Sequence, residues 1–572
     1  MNCVNMDVIN QLLDKIYENA FPADALAALT HSLRQARAAL SHPRKPHWDE
    51  KDVILISYAD QFRESGIPTL QTFSRFYQRH FQSTFNLVHL LPFCPWSSDD
   101  GFSVIDYHQV SPPCGQWTDV AELHQHTRLM FDFVCNHISA HSAWFQHFLA
   151  CDAGWDDFFI SVEPSTDLSD VTRPRTTPLL TPFKMASGET KFIWTTFSAD
   201  QIDLNYASPA VLLKMTEVLL DYLVKGADYV RLDAAGYMWK TPGTSCIHLE
   251  KTHLLVKLFR AIANEVAPGT VIITETNVPH RENIGYLGNG GDEAQMIYQF
   301  SLPPLVLHAI HYGQANALKQ WANALPASKG TTSWFNFLAS HDGIGLNPLR
   351  GILPESEIAS LVSDLVAEGA LVSYKNNGDG TTSPYEINVT YLDALNKKDD
   401  DDETRLQRFM LAHALLLAFP GVPAVYVQSI LGSRNDLAGV KEAGHHRAIN
   451  RQKYPLSEIE AELNDVTSLR HNIFQQLSQL IQLRRQQAAF HPDNPMVVLE
   501  SDNALLVIQR RSERQQLLCI FNLSNNVMTY TLPDAAGWRS VIDGRRIAGN
   551  QSLTLTPLGW MWLELCEGDE AH

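Results

Sequence analysis

In the stretch GADYVRLDAAGY (226–237), Arg231 and Asp233 stand two residues apart at the end of an apolar run. On a strand, residues i and i+2 point to the same face, so the two side chains sit together where the strand ends. A lone pair of this kind would simply cap a strand. Here the pattern recurs: DFVCNH ends in Asn136 and His137, TVIITE in Glu275, ASHD in His341 and Asp342, and PWSSDDGF supplies Asp100 and Phe102. Several acids gathered at one place without a ligand are costly to bury, which favours a site over a structural motif. Two carboxylates facing one bond are what glycosidic chemistry needs, one to attack and one to protonate the leaving oxygen. Beside Arg231, Asp233 is expected to stay ionised and to serve as nucleophile. Glu275 has no basic neighbour in sequence and is the candidate acid, with a raised pKa. Asp342 is placed to stabilise positive charge in the transition state.

These residues need a frame that brings distant strand ends together. Eight short apolar runs alternate with helical patterns: 53–57, 87–92, 129–134, 228–232, 270–274, 296–300, 334–340 and 423–428. Alternation of this kind predicts a parallel sheet, and eight strands predict an α/β fold of the (β/α)8 TIM barrel type, whose sites form at the carboxyl ends of the strands. The barrel is read as 48–135, 207–342 and 405–493. Two gaps exceed a crossover helix, 136–206 and 343–404, and are read as inserted excursions, domains B and B′, over the same face. Residues 1–47 carry helical spacing (Leu12, Leu13, Ile16, Tyr17) and form an N-terminal extension. From 494 to 572 alternating strands and turns predict a C-terminal antiparallel β domain.

Bulk properties narrow the function. The chain has 63 acidic and 44 basic residues, a net charge of −19, so nucleic acid and anionic membranes are poor partners. Its eight cysteines form no C-x-x-C pair, and Cys135 and Cys519 are expected as buried thiols. The N-terminus has no apolar core of a signal peptide. The apolar run 409–427 is broken by His413 and Pro-Gly-Val-Pro, so it reads as helix, turn and strand rather than a membrane span. A cytoplasmic protein is expected. The acidic run KKDDDDET (397–404) lacks calcium-loop spacing and reads as a solvated loop with acids at a helix start; no metal site is assigned.

The segments DFVCNH, VRLDA, TE and SHD, in this order, resemble the conserved segments of glycoside hydrolase family 13, the α-amylase family. Further stretches (DDGF, GTSC, SLPPLVLH, SHDGIG, YEINVTY, FPGVPAVY and HRAINR) are similar to its sucrose phosphorylase subfamily. The resemblance implies Asp233 as nucleophile, Glu275 as acid/base and Asp342 as stabiliser. It implies that Asp100, His137, Arg231, His341 and Arg447 hold a donor glucosyl unit, with Phe102 as an apolar platform and Tyr237 in the same pocket. It further implies a covalent β-glucosyl enzyme that phosphate, a co-substrate rather than a cofactor, attacks to release α-glucose 1-phosphate. Arg175 of the TRPR segment, in preference to Arg173, matches the family's cation for phosphate. The implied partners are a small sugar and phosphate, with no nucleic acid or membrane, and a monomer or homodimer.

The second excursion departs from sucrose phosphorylases. Their acidic residue before the matching tyrosine is absent: Thr382-Ser383-Pro384 precede Tyr385, and Glu386 follows it. An acceptor pocket without that acid suits an anionic acceptor. With the N-terminal extension and the length, this resembles the subfamily's glucosylglycerate phosphorylases. Sucrose or sucrose 6′-phosphate phosphorolysis is the next alternative, and α-glucoside hydrolysis or transglucosylation a further one.

Overall fold

A computed structural model describes residues 4–40, 43–45, 47–328, 331–533 and 537–566. Parts of the N-terminal extension (1–3, 41, 42 and 46, including Cys3) and of the C-terminal domain (534–536 and 567–572) lie outside the described residues.

All eight apolar runs become strands of one closed parallel barrel: β1 (Ile54–Ser57), β2 (Leu87–Leu90), β3 (Arg128–Phe133), β4 (Ala227–Leu232), β5 (Val271–Thr274), β6 (Met296–Tyr298), β7 (Ser333–Asn336) and β8 (Val422–Tyr426). β8 pairs back onto β1, with Ile54 opposite Ala424, and closes the ring. The runs are nearly unbroken because these strands are buried on both faces, by the barrel interior and by the helical layer. Burying a polar side chain inside such a barrel calls for a partner. Asp132 on β3 stands in register with Arg231 on β4. Its carboxylate accepts from Arg231 Nη1 at 2.5 Å and lies 2.6 Å from His89 Nε2 on β2.

The apolar run 409–427 folds as expected, into a helix Asp402–Ala418, a Pro-Gly turn and β8. Gly421 turns with φ +124, and a Cβ there would meet the Trp334 carbonyl at 2.7 Å. Asp401, from the acidic run, caps that helix by accepting from the Thr404 N–H at 2.8 Å. Among the described residues no helix is long and apolar enough to cross a membrane.

Around the barrel, helix Asp7–Tyr17 packs on the Glu250–Val266 helix, and Ala23–Ala39 packs on Pro209–Val224. Ile9, Leu12, Leu13, Ile16 and Tyr17 form the buried face of the first helix, and the Tyr17 hydroxyl donates to the Tyr206 carbonyl at 2.8 Å. The excursion after β3 is closed at its base by an antiparallel pair, His137–Ser139 with Gln201–Asp203, and carries a hairpin of Leu180–Lys184 with Thr190–Trp194. The one after β7 carries a three-stranded sheet of Ile344–Gly345, Thr382–Asn388 and Leu371–Asn376. A six-stranded antiparallel sheet and a two-stranded one follow the last barrel helices, with a core that includes Leu518, Ile520, Trp538 and Leu563. Cys135 and Cys519 are buried, as expected of thiols in apolar strands.

Candidate active site

Asp233, Glu275 and Asp342 line a single pocket at the carboxyl ends of the strands, together with Phe102, His137, His341, Arg447, Arg175, Tyr237, Tyr385 and Glu386. Chain turns hold the two acids that flank the reacting position. The Asp233 N–H donates to the Phe133 carbonyl at 3.1 Å, and the Glu275 N–H to the Leu232 carbonyl at 3.2 Å. Ala234 adopts a left-handed conformation (φ 50), and its N–H donates to Glu275 Oε2 at 3.0 Å. That conformation is costly outside glycine and recurs where a turn is fixed by its surroundings.

Arg231 does lie beside Asp233, with Nη1 2.9 Å from Oδ1. Two expectations for this pair, one implied by the resemblance and one drawn from the adjacency, are corrected. Arg231 does not line the pocket; it is 1% exposed beneath the floor, with its guanidinium shared among Asp132, Asp233 and, at 3.7 Å, Glu275. It is therefore placed to hold carboxylates rather than sugar. Nor does it leave Asp233 an ordinary carboxylate. Burial is the largest cause, and Asp132 and Asp342 add repulsion, so the Asp233 carboxyl is held above the usual range despite Arg231. Glu275 is also raised, by burial and by repulsion from Asp233 and Asp342, although Arg231 turns out to be its basic neighbour too. Asp342 shifts the other way. Burial works against its charge, but Arg447 at 2.8 Å, with Arg231 and Arg451, outweighs that and holds it well below the usual range. Two acids of raised pKa beside a third that stays charged can divide the roles of proton carrier and fixed anion.

One wall of the pocket is aromatic and neutral. The Phe102 ring stacks on His341 with centroids 4.8 Å apart and planes 5° apart. His341 is held neutral by burial; its Nδ1 is buried without a partner, and its Nε2 lies 3.4 Å from Asp342 Oδ1. His137 is also held neutral by burial. Its nitrogens are already engaged, Nε2 with the Phe102 carbonyl at 2.9 Å and Nδ1 with Asn136 Nδ2 at 3.2 Å.

Asp100 is a third correction. It faces away from the pocket into a separate groove, with Oδ2 2.7 Å from Arg451 Nη1, while its neighbour Asp99 lines the pocket. Both aspartates have positive φ, 53 and 46, so the backbone coils and sends consecutive side chains apart. Asp99 Oδ2 accepts from Gln201 Nε2 at 3.1 Å. The sequence reading missed Asp99, Gln201, Phe197 and Asn277, all of which line the pocket. Asp99 was within reach of the adjacent-acid motif; the other three carry no local signal.

Another part of the pocket is built from both excursions. Arg175 lies with its guanidinium carbon 5.3 Å from the Phe197 ring centre and 5.2 Å from that of Tyr385. It makes no ion pair among the described residues. Arg173 points elsewhere and donates to the Thr177 carbonyl. Glu386, 3% exposed, receives a two-pronged contact from Arg447, at 2.8 and 3.0 Å. Paired bonds of this kind neutralise a carboxylate and fix its plane. The pocket holds about 60 Å³ and opens past Tyr237, Asn277 and Tyr385 onto a vestibule of about 610 Å³. Asn277 Oδ1 has no partner at this neck. Among the described residues no cluster of acids, histidines or cysteines is arranged to hold a metal ion.

The alpha-amylase catalytic domain family matches residues 84–347. Glucosylglycerate phosphorylase of Escherichia coli (strain K12) is 58% identical over 557 residues, 97% of this chain and 99% of that one. Glucosylglycerate phosphorylase of Allomeiothermus silvanus is 48% identical, over 84% and 87%. Among solved structures, sucrose 6F-phosphate phosphorylase from Thermoanaerobacter thermosaccharolyticum superposes with a TM-score of 0.74 at 26% identity, covering 90% of this chain and 100% of that one. With this barrel, its two excursions and three acids at one mouth, the chain belongs to the alpha-amylase family, in the branch of the glycoside phosphorylases.

Proposed function

We propose that this protein is a retaining phosphorylase of 2-O-α-D-glucosylglycerate, which it converts reversibly with phosphate to α-D-glucose 1-phosphate and D-glycerate. Asp233 attacks the anomeric carbon as Glu275 protonates the departing oxygen of glycerate, giving a β-glucosyl ester on Asp233. Phosphate enters the vacated side, Glu275 takes up its proton, and the ester bond breaks as the new glycosidic bond forms with retention. Asp342, kept charged by Arg447, faces the positive charge that develops on the sugar. Phosphate is a co-substrate and no cofactor takes part. Asp99, His341 and Phe102 hold the glucosyl unit in this reading.

The observation that carries the acceptor is the pairing of charges at the pocket mouth. The one acid of the Thr382–Asn388 strand, Glu386, is spoken for by Arg447, whereas Arg175 has no carboxylate partner among the described residues. A carboxylate acceptor and phosphate both gain from such a cation, and neither meets a free acid. The 58% sequence identity to a glucosylglycerate phosphorylase, against 30% to a sucrose 6(F)-phosphate phosphorylase, supports the same choice. The test is a panel of D-glycerate, glycerol, fructose and fructose 6-phosphate offered with α-glucose 1-phosphate, following phosphate release. Glycerate should lead. A lead for fructose or its phosphate would make the protein a sucrose-type enzyme, and free glucose as the main product in saturating phosphate would make it a hydrolase.

A further inference from the structure

The vestibule outside the catalytic pocket is where a solvated substrate first meets the protein. Its rim includes three cations, Arg173, Arg350 and Lys375, and two acids, Asp170 and Glu282. Their attachments differ. Arg350 is anchored by Glu355, at 2.7 Å, and by Asn347, at 3.4 Å. Arg173 donates to the Thr177 carbonyl. Lys375, on the Leu371–Asn376 strand opposite Ser383, is half-buried and has neither a hydrogen bond nor an ion pair among the described residues. Burial disfavours its charge and Arg350 nearby disfavours it further, which outweighs the attraction of Glu355 and Glu282. A lysine held near another cation, partly out of water and without a partner, is an arrangement that an incoming anion would relieve.

The chemistry demands such a device. In the phosphorylase reading every small molecule that crosses this rim is an anion: glucosylglycerate, phosphate, glycerate and glucose 1-phosphate. The chain as a whole carries −19 and repels them. Because salt screens exposed charges beyond about 8 Å, cations at the rim dominate what an approaching anion feels. Phosphate and glycerate must also take turns on one side of the glucosyl enzyme, so one receiving cation serves both directions.

We propose that Lys375 is a specificity-determining residue that receives phosphate and the carboxylate acceptor in the vestibule and passes them to Arg175 at the pocket neck. This rests on the phosphorylase reading. Lys375→Gln should raise KM for phosphate and for glycerate together by about three- to fivefold, with a smaller change in kcat. Lys375→Glu should raise both by about tenfold or more, and Lys375→Arg should restore values near those of the natural protein. The fall of kcat/KM for phosphate with ionic strength should flatten in Lys375→Gln, a change that a merely structural role would not produce. Transfer to uncharged glycerol should lose less than transfer to glycerate. If the natural protein forms glucose 1-phosphate but KM for both anions and the salt slope are unchanged in Lys375→Gln and Lys375→Glu, the inference alone is overturned. If the natural protein forms no glucose 1-phosphate from phosphate, the phosphorylase reading is overturned and this inference falls with it.

Discussion

Replacing Arg175 by alanine separates direct recognition of an anion from its attraction at a distance. The guanidinium lies between the Phe197 and Tyr385 rings, and each exposed contact of that type is worth about 0.5–1 kcal/mol, too little to threaten the fold. Its value to a bound anion depends on the geometry. Acting across about 7 Å of water, one unit charge on another is worth ~0.6 kcal/mol, about threefold in affinity. A charge-assisted hydrogen bond is worth about 1.5–3 kcal/mol, roughly 10- to 150-fold. Arg175→Ala should therefore raise KM for glycerate and for phosphate by more than tenfold and leave the melting temperature within a few degrees. Arg175→Lys should recover part of the loss, because a point charge replaces a planar fork. The assay is initial rates in both directions, with glycerol as neutral control and thermal unfolding as fold control. A rise near threefold would leave only distant attraction. A parallel loss for glycerol and glycerate would refute the reasoning, because charge would then have no part in acceptor choice.

Asp233→Asn should abolish the covalent step, with turnover down on the order of 10³-fold or more in a folded protein; near-normal turnover would remove Asp233 from the mechanism. Glu275→Gln should spare donors with good leaving groups far more than the natural disaccharide, read as the ratio of the two rates in each protein. Activity needs Asp233 ionised and Glu275 protonated, so kcat/KM should fall at low pH as Asp233 gains a proton and at high pH as Glu275 loses one. Burial raises both groups, so both limbs should stand above the range of about 4 that ordinary carboxylates give, as a pH–rate profile would report. Asp99→Ala should weaken glucose 1-phosphate binding well beyond Asp100→Ala, since only Asp99 lines the pocket; the reverse order would return the donor contact to Asp100.

The barrel was legible because strands buried on both faces leave unbroken apolar runs, and two excursions too long for crossover helices marked the functional face. The three acids were legible as strand-end residues, and each falls on one pocket. What escaped was whatever depends on the path of a turn. Asp99 and Asp100 are identical in type and adjacent, and their positive φ values decide which one faces the pocket. Asp132 hid inside an apolar run, so Arg231 looked like the private partner of Asp233 when β3 supplies a closer one. Phe197 and Asn277 reach the pocket from loops and Gln201 from a three-residue strand inside the first excursion, where neither periodicity nor spacing points. Arg447 and Tyr237 were found only through resemblance, since nothing in their immediate sequence distinguishes them.

The wall between pocket and vestibule is a joint between two insertions: Arg175 comes from one and Tyr385 from the other, and they meet ring to guanidinium. The three acids stand on the barrel instead. Catalysis and choice of acceptor are thus carried by separately exchangeable modules, and a loop graft can change what is glucosylated without rebuilding how. One thread crosses the seam, from Glu386 in the second insertion through Arg447 to Asp342. Any graft that drops the acid at 386 also alters the electrostatic setting of the barrel's own aspartate, so new acceptors are reachable by evolution or engineering mainly along paths that keep that residue.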